Sequence, residues 1–333
     1  MSRRDDQLPT EAPEHITVMG PEAVEVLAPR DGGLYVDGTF GLGGTTALLL
    51  AAACCRVVGI DRDHEAIDRG QGLATRYAAR LSLVHGRFSE MDRLVTQETH
   101  DPVDGITLDL GVSSPQLDQP ERGFSWRHDA ALDMRMDAQS GGQTAADLVN
   151  QLPEAELAQL IWRHGDERRA RQVARAIATV RADKPITRTT ELAEIVRKVV
   201  RRSPDGIDPC TRTFQALRVA VNEEDQELDR GLAAAERLLA PGGRLAVIAF
   251  QSHEDRAVKR FLHQRGGVGG QGSRHRPARA ETRSPSFRLL GRGARRPSDS
   301  EVRSNPRARS ARLRAAERTA AAPWPQDETG GHR

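Results

Sequence analysis

Cysteine is scarce in this 333-residue sequence, and long apolar runs are missing. Cys54, Cys55 and Cys210 form no CxxC pattern, and two chain neighbours cannot form an ordinary disulfide, so a reducing compartment is expected. The longest apolar run, ALLLAAACC from Ala47, is too short to span a bilayer. The N-terminal MSRRDDQLPTEAPEH lacks the apolar segment of a signal peptide. These absences predict a soluble, cytoplasmic protein without a membrane partner.

Lysine is also rare, and aromatic residues make up only 4% of the chain. Lysine occurs only at Lys184, Lys198 and Lys259, so nearly every basic residue is arginine. The net charge is +2, yet residues 265–333 contain 16 basic and 6 acidic residues and so concentrate positive charge. The forked guanidinium of arginine fits phosphate groups, but a coding preference for arginine would give the same ratio of arginine to lysine. A nucleic-acid partner and a compositional bias both explain this tail.

Short apolar runs alternate with helical patterns from residue 15 onward, which is typical of a parallel sheet wrapped by helices. Five strands are predicted in chain order: GLYVDGTF, CRVVGIDRD, LSLVHGRF, VDGITLDLGVSS and PGGRLAVIAF. Two later runs, SFRLLGRG and ARSARLRAAER, are predicted to complete the sheet. The predicted fold class is therefore α/β.

The alternation stops between about residues 116 and 207, where no run resembles a strand. Three segments there, TAADLVNQLPEAELAQLIWRHG, ERRARQVARAIATVRA and TTELAEIVRKVVRR, place apolar residues at helical spacing. The length of this stretch favours an inserted all-helical domain over helices that extend the α/β layer. The predicted organisation is a disordered leader (1–14), a first part of the α/β domain (15–115), the helical insertion (116–207), a second part (208–318) with a flexible loop (266–284), and a disordered tail (319–333).

The segment YVDGTFGLGGTT joins the first predicted strand to a helix through a glycine-rich loop. A GxGxxG motif would need glycine where Thr46 stands, so the loop alone is a weak nucleotide signal. Asp61 ends the next strand, where a carboxylate accepts hydrogen bonds from ribose hydroxyls. Asp37 would repel a pyrophosphate but favour the ammonium and sulfonium of S-adenosylmethionine, unless it only caps the loop. The pattern favours S-adenosylmethionine over NAD.

Over residues 14–318 the sequence resembles the ribosomal RNA small subunit methyltransferase H family, also called MraW. The resemblance is carried by HITVMGPEAVEVL, VDGTFGLGG, GIDRD, HGRFSEM, LDLGVSSPQLD, RGFSW, LDMRMD, TRTFQALRVAVNEE, FQSHEDRAVKRF and NPRARSARLRAAE. It implies a class I, S-adenosylmethionine-dependent methyltransferase with a Rossmann-like sheet. It also implies a substrate, the N4 atom of a cytidine in the decoding region of 16S ribosomal RNA, within the small ribosomal subunit.

The resemblance further implies a set of cofactor contacts. They are three loop residues, a carboxylate on the ribose, an aromatic ring beside the adenine and two residues after the fourth strand: Gly43, Gly44, Thr45, Asp61, Phe88, Asp109 and Gln116. The family usually has histidine in place of Thr45, so only a backbone contact is expected there. Its SFHSLEDR motif is AFQSHEDR here, with Gln251 for histidine and His253 for leucine, so no role of that histidine is transferred.

The exocyclic amine of cytosine is a poor nucleophile because its lone pair is delocalised into the ring. In-line placement and an acceptor for the amine hydrogens would assist attack on the sulfonium methyl. The Asp/Asn-Pro-Pro-aromatic loop of many amino-methyltransferases is replaced here by DLGVSSPQ. Candidate acceptors are Asp109, the carbonyls of residues 110–113 and Asp133, and no residue is assigned as catalytic. No metal is expected, since the histidines lack ligand spacing.

The segment ERGFSWRHDAALDMRMD is the candidate loop for handling an unstacked base. Phe124 and Trp126 can stack on bases, while Arg122, Arg127 and Arg135 can contact phosphates. Alternatively, the two aromatic rings seal the junction with the helical domain.

Three functions compete. The leading one is an RNA cytidine methyltransferase. Arg212 and Arg218, at a helix start in TRTFQALR, either face the same cleft as the loop or provide ordinary helix capping and surface charge. An NAD-dependent oxidoreductase is the second, and Asp37 argues against it. A non-catalytic ribosome-assembly protein that binds RNA is the third, but it would not need the cofactor residues that are present. The sequence predicts neither the oligomeric state nor whether free RNA or an assembled subunit is the substrate.

Overall fold

The structure, a computed structural model, describes residues 17–202, 206, 208–267 and 283–325. Its strands are β1 (Leu34–Asp37), β2 (Arg56–Asp61), β3 (Leu81–His85), β4 (Val103–Asp109), β5 (Leu239–Ala249), β6 (Phe287–Leu289) and β7 (Arg312–Arg318). They form one seven-stranded sheet in the order β3-β2-β1-β4-β5-β7-β6. β1 to β5 pair in parallel, whereas β7 is antiparallel to both of its neighbours.

The helices lie before, between and after the strands. They are α1 (Gly20–Leu27), α2 (Gly44–Ala52), α3 (His64–Tyr77), α4 (Met91–Glu98), α5 (Ser114–Asp118), α6 (Ala145–Gln151), α7 (Glu154–Gly165), α8 (Ala170–Asp183), α9 (Thr189–Val199), α10 (Cys210–Val221), α11 (Glu224–Leu238), α12 (Ser252–Arg265) and α13 (Asp299–Ser304). No helix in the described ranges is long and apolar enough to cross a membrane.

The strand order confirms the predicted α/β fold of class I methyltransferases. The chain runs outward from β1 to β3 and then returns to place β4 on the other side of β1. Open α/β sheets bind ligands at the carboxyl ends of the strands, where the order reverses in this way. Asp37, Asp61 and Asp109 end β1, β2 and β4, so three carboxylates reach that edge.

The sheet is buried on both faces because helices cover each side. Successive β5 residues alternate between two apolar clusters: Leu245 and Val247 belong to one, and Ala246 and Ile248 to the other. This two-sided burial explains why the strands read as continuous apolar runs in the sequence.

A further apolar cluster lies outside the sheet and joins α6, α7, α8, α9 and α10. Leu157, Ile177 and Val196 are among its buried members. It also includes Phe214 and Leu217 of α10, which follow the predicted end of the insertion at residue 207. The division into an α/β domain and a helical insertion stays a prediction, with α10 contributing to the helical core.

The end of the described chain differs from the predicted disordered tail. Thr319 donates from its backbone nitrogen to the Ser286 carbonyl oxygen at 2.9 Å. Trp324 donates from its backbone nitrogen to Glu236 Oε1 at 3.0 Å, and the Arg265 guanidinium lies 4.7 Å from the centre of its ring. The predicted leader, most of the flexible loop and residues 326–333 lie outside the described residues.

Candidate active site

A cavity of about 860 Å³ opens at the carboxyl edge of the sheet. Six of the seven residues predicted to contact the cofactor line it: Gly44, Thr45, Asp61, Phe88, Asp109 and Gln116. Gly43, the seventh, is not among the lining residues. The parallel strands bring these positions together, although they are spread over more than 70 residues of sequence.

The glycine loop is shaped by the protein's own packing. Gly43 has φ of +74°, and a Cβ there would lie 2.7 Å from Phe40 Cζ. A Cβ on Gly44 would lie 1.7 Å from Thr17 Oγ1. The sequence predicts that side chains here would either occupy cofactor space or demand a positive φ. The positive φ is present at Gly43, but the contacts that exclude a Cβ come from Phe40 and Thr17.

Asp37 is buried and faces the loop, and it is not among the residues that line the cavity. Its Oδ2 accepts a hydrogen bond from Thr46 Oγ1 at 2.8 Å, and its Oδ1 accepts one from the Thr39 backbone nitrogen at 3.3 Å. Burial raises the pKa of Asp37 to about 6. The structure therefore shows the loop-capping alternative, in a buried form.

Asp61 lines the cavity and also fixes the loop above it. Its Oδ2 accepts a hydrogen bond from the Gly41 backbone nitrogen at 2.7 Å, and its Oδ1 accepts one from the Asp63 backbone nitrogen at 2.8 Å. Burial raises the pKa of Asp61 to about 6, against the lowering effect of these two bonds. Each carboxylate oxygen has a second lone pair, which is available to a ligand hydroxyl.

Phe88 lies on the wall of the cavity formed with α11. A Cβ on Gly231 of α11 would lie 2.3 Å from Phe88 Cδ2, so this glycine allows the ring to pack against the helix backbone. A flat aromatic surface of this kind suits a planar heterocycle.

Asp109 lines the cavity at the end of β4. Its Oδ1 is buried and has no hydrogen-bond partner within the described residues. Burial, with the nearby carboxylates of Asp37 and Glu254, raises the pKa of Asp109 to about 8. A buried acid with one unpartnered oxygen is suited to a cationic or hydrogen-donating ligand.

Gln116 is held by a buried polar network. Its Nε2 donates to Asp63 Oδ2 at 3.0 Å, and its Oε1 accepts from the Ser113 backbone nitrogen at 3.0 Å. Arg122 donates to the same Asp63 oxygen at 3.0 Å and to the carbonyl oxygen of Met136 at 2.8 Å. The Arg122 side chain is only 10% exposed. The expectation that Arg122 contacts phosphate is therefore wrong in this structure, because its guanidinium is committed to Asp63.

The other residues of the predicted base-handling loop divide between core and surface. Phe124 is buried in the helical cluster, and Trp126 packs edge-on against Phe214, with ring centres 5.6 Å apart. These contacts match the alternative in which the rings seal the junction. Arg135 pairs with Asp133 at 2.7 Å, and Asp133 does not line the cavity.

Among the described residues of this loop, Arg127 is an exposed arginine for which no ion pair is present. Residues 110–113, the other candidate acceptors, do line the cavity. Arg218 lines it as predicted, whereas Arg212 does not.

The acidic and histidine side chains on the far wall of the cavity are not predicted as site residues from the sequence. Arg218 of α10 forms a two-point ion pair with Glu224 of α11, at 2.8 and 2.7 Å. Glu254 is buried, and burial raises its pKa to about 7. Asp225 and His253 complete this wall. The sequence feature that could have predicted this wall is the position of AFQSHEDR directly after β5, at the same sheet edge as Asp61 and Asp109.

His64, His85 and Asp137 form a second polar group, with potential ligand atoms within 4.8 Å of one another. The two imidazole rings are stacked, with centres 3.5 Å apart and an interplanar angle of 14°. Their in-plane lone pairs therefore lie in nearly parallel planes and do not converge on one point. His85 Nε2 is also 3.0 Å from the Arg62 carbonyl oxygen, to which it can donate. This arrangement does not form a converging ligand set for a metal ion.

Comparisons with known proteins agree on one family. The model of the MraW methylase family matches residues 12–319. A protein of Rhodospirillum centenum named ribosomal RNA small subunit methyltransferase H is 59% identical over 307 residues, which is 92% of this chain and 93% of that protein. A protein of the same name from Paramagnetospirillum magneticum is 57% identical over 311 residues, covering 93% of this chain and 97% of that protein.

A solved structure described as a putative rRNA-methylase from Clostridium thermocellum aligns with 91% of this chain and 98% of that chain. Its TM-score is 0.42 and its sequence identity 14%, and a likeness this distant adds nothing to the sequence relatives.

Proposed function

The chain belongs to the MraW methylase family, and on this premise we propose that it transfers a methyl group from S-adenosylmethionine to small-subunit ribosomal RNA. The relatives that match it over more than nine-tenths of their length are named for this activity. We further propose the finer activity that the resemblance implies, methylation of the N4 atom of a cytidine in the decoding region of 16S ribosomal RNA.

The observation that carries the cofactor proposal is the buried, unpartnered Oδ1 of Asp109. The carboxylates of Asp37 and Glu254 raise the pKa of Asp109 further, so the electrostatic potential at this position favours positive charge over negative charge. A cationic ligand instead supplies the missing partner and favours the ionised carboxylate. S-adenosylmethionine carries an ammonium and a sulfonium, whereas NAD carries a pyrophosphate. The electrostatics of this wall therefore support the methyl donor over NAD.

The lining residues suggest how the cofactor would be held. Asp61 would accept hydrogen bonds from the ribose hydroxyls, and Phe88 would cover one face of the adenine. The first turn of α2, at Gly44 and Thr45, would lie against the amino-acid end, with Asp109 facing the ammonium. When bound, S-adenosylmethionine supplies an electrophilic methyl group on its sulfonium.

The far wall supports a separate place for the substrate base. The cavity continues past Asp109 to residues of α10, α11 and α12, which include Arg218 and Glu254. An unstacked base entering there would approach the methyl group from the side opposite the glycine loop. The proposed helical insertion lies next to this wall, since α10 belongs to its apolar core. We assign substrate recognition to its surface, where RNA phosphates fix register and unstacked bases carry the sequence.

Methyl transfer to isolated small subunits and to free 16S RNA, with tritiated cofactor, tests the proposal. We expect label in one cytidine, identified by nuclease digestion and mass spectrometry. Ribosomal RNA from cells with and without the gene should differ at the same nucleotide. Calorimetric binding of NAD but not S-adenosylmethionine would instead indicate an oxidoreductase. RNA binding without cofactor binding or methyl transfer would indicate an assembly protein.

A further inference from the structure

The far wall of the cavity contains a histidine that the cofactor does not need. We propose that His253, oriented by Asp225, accepts the proton that the attacking amine loses during methyl transfer. This inference rests on the proposed function, because it concerns the substrate half of the same cavity.

The position of His253 follows from the end of β5. The chain leaves the sheet at Ala249 and begins α12 at Ser252, so the first turn of this helix lies at the carboxyl edge. His253 lines the cavity together with Gln251 and Glu254. Its side chain is 19% exposed, so the ring is largely shielded and yet can meet a bound substrate.

The imidazole faces a carboxylate on a neighbouring helix. His253 Nε2 is buried and lies 3.4 Å from Asp225 Oδ1, without forming a hydrogen bond within the described residues. The other oxygen of Asp225 lies 3.1 Å from His164 Nδ1 of α7. The negative charge of Asp225 at this distance favours the tautomer that carries its hydrogen on Nε2, which leaves Nδ1 as the proton acceptor.

Burial favours the neutral form of the His253 imidazole near pH 7. Burial lowers the pKa of His253 below its usual value and is the largest effect. Asp225 and Glu224 of α11 raise it, while Arg218 of α10 and His164 of α7 lower it. A neutral imidazole can take up a proton, and Asp225 then stabilises the imidazolium that forms.

The two nearby acids are less suited to this step. Burial and neighbouring carboxylates raise the pKa of Asp109 to about 8, so it holds a proton at pH 7 unless a cation is bound. With the cofactor ammonium beside it, the Asp109 carboxylate is committed to that cation. Glu254 Oε2 accepts hydrogen bonds from the backbone nitrogens of Phe250 and Gln251, both at 3.0 Å, and so caps α12.

The step balances without a further reactant. The amine nitrogen forms a bond to the methyl carbon as the sulfur–carbon bond breaks, and that electron pair stays on sulfur to give a neutral thioether. The nitrogen loses one proton to His253 Nδ1, and the imidazolium later releases it to water. General-base assistance of this kind contributes about 10²- to 10⁴-fold in rate.

Single-turnover methyl transfer as a function of pH tests the assignment. We expect His253→Gln to lower the rate of methyl transfer at pH 7.5 by about 100-fold. It should also remove the acid limb of the pH profile, which is the fall in rate caused by protonation of His253 at low pH. Asp225→Asn should move this limb to lower pH, because a neutral partner no longer favours the imidazolium. Added imidazole should restore part of the rate to His253→Ala, which loss of packing alone would not allow. His263→Gln, on the same helix but away from the cavity, is the matched control.

Two readouts do not depend on turnover. Calorimetry should give every variant an S-adenosylmethionine affinity within about twofold of the parent protein. Histidine-ring NMR titration should place the pKa of His253 below that of an exposed histidine, and lower still in Asp225→Asn. If the parent protein transfers the methyl group and His253→Gln shows the same rate and pH profile, this inference is wrong while the proposed function stands. A parent protein that transfers no methyl group to small-subunit RNA would refute the proposed function, and this inference with it.

Discussion

Thr17 Oγ1 lies 1.7 Å from the position that a Cβ on Gly44 would occupy. Both residues line the cavity, and Gly44 begins α2. Even an alanine at this position must therefore displace the Thr17 side chain, the helix or the segment that precedes α1.

We expect Gly44→Ala to weaken S-adenosylmethionine binding by at least about tenfold and to destabilise the fold by about 1–3 kcal/mol, as overpacking usually does. Thr17→Ala in the same chain should recover part of both losses, because it removes the clashing hydroxyl. Gly72→Ala is the control, since a Cβ there meets open space within α3. Calorimetry and thermal unfolding of the four proteins measure the effect. If Gly44→Ala binds the cofactor with unaltered affinity, the loop accommodates a Cβ without any loss of binding free energy, and this prediction is wrong.

Asp61 is expected to bind the cofactor ribose, and its contacts allow a sharper experiment. Removing hydrogen bonds to a charged acceptor costs about 1.5–3 kcal/mol, so Asp61→Ala should weaken binding by about 10- to 100-fold. Asp61→Asn should lose less, because its oxygen can still accept from the Gly41 backbone nitrogen. Asp68→Ala, at an exposed position of α3, should leave the affinity unchanged. Equal affinities for the parent protein and Asp61→Ala in a titration calorimeter would defeat this assignment.

The cofactor half of the site was largely predictable because it depends on local order in the chain. The sequence shows where each strand ends, and parallel strands end at the same edge of a sheet. Asp61 and Asp109 are therefore expected to lie close together. The glycine loop was readable for the same reason. The partner of Asp37 is not predictable in this way. In the sequence Thr46 is only a departure from a glycine pattern, whereas in the structure the first turn of α2 brings its hydroxyl to Asp37.

The far wall depends on contacts between distant segments, which composition does not reveal. Arg122 looked available for phosphate, but it pairs with Asp63, 59 positions earlier. Phe124 looked like a stacking residue, but its ring belongs to the helical core. A sequence shows that a side chain is charged or aromatic, whereas burial and partner choice decide whether it is free to bind. For the same reason, the sequence does not show that Asp225 and His253 lie together on the cavity wall.

The contrast between Arg122 and Arg127 gives a prediction about the base-handling loop. Arg122→Ala removes the cation from a nearly buried Asp63, which caps α3 and holds Gln116. Breaking such a pair costs about 3–5 kcal/mol, so we expect lower stability together with weaker cofactor binding. Urea unfolding and calorimetry measure both.

Arg127→Ala is the matched surface variant. It should leave stability and cofactor affinity unchanged while lowering methyl transfer to small subunits, with a loss that grows with salt concentration. Transfer assays over a salt series measure this effect. If Arg122→Ala proves as stable as Arg127→Ala, the network around Asp63 does not carry the stability assigned to it.

The raised pKa of Asp109 makes both stability and cofactor binding depend on pH. In the unfolded chain an aspartate titrates near 3.8, whereas in the folded protein Asp109 titrates at about 8. Between these values the folded state binds more protons than the unfolded state, so stability falls as pH rises through this window. Asp37 and Asp61, at about 6, and Glu254, at about 7, act in the same direction.

Cofactor binding should show the opposite trend, because Asp109 must lose its proton to pair with an ammonium. We expect the affinity for S-adenosylmethionine to rise between pH 6 and about 8, with proton release on binding that calorimetry in buffers of different ionisation enthalpy can count. Asp109→Asn should weaken cofactor binding and abolish most of its dependence on pH. In the apo-protein it should also reduce the loss of stability as pH rises. Asp118→Asn, at an exposed position on the cavity rim, controls for surface charge. An affinity that falls with pH, or a dependence that persists in Asp109→Asn, would mean that another group meets the positive charge of the cofactor.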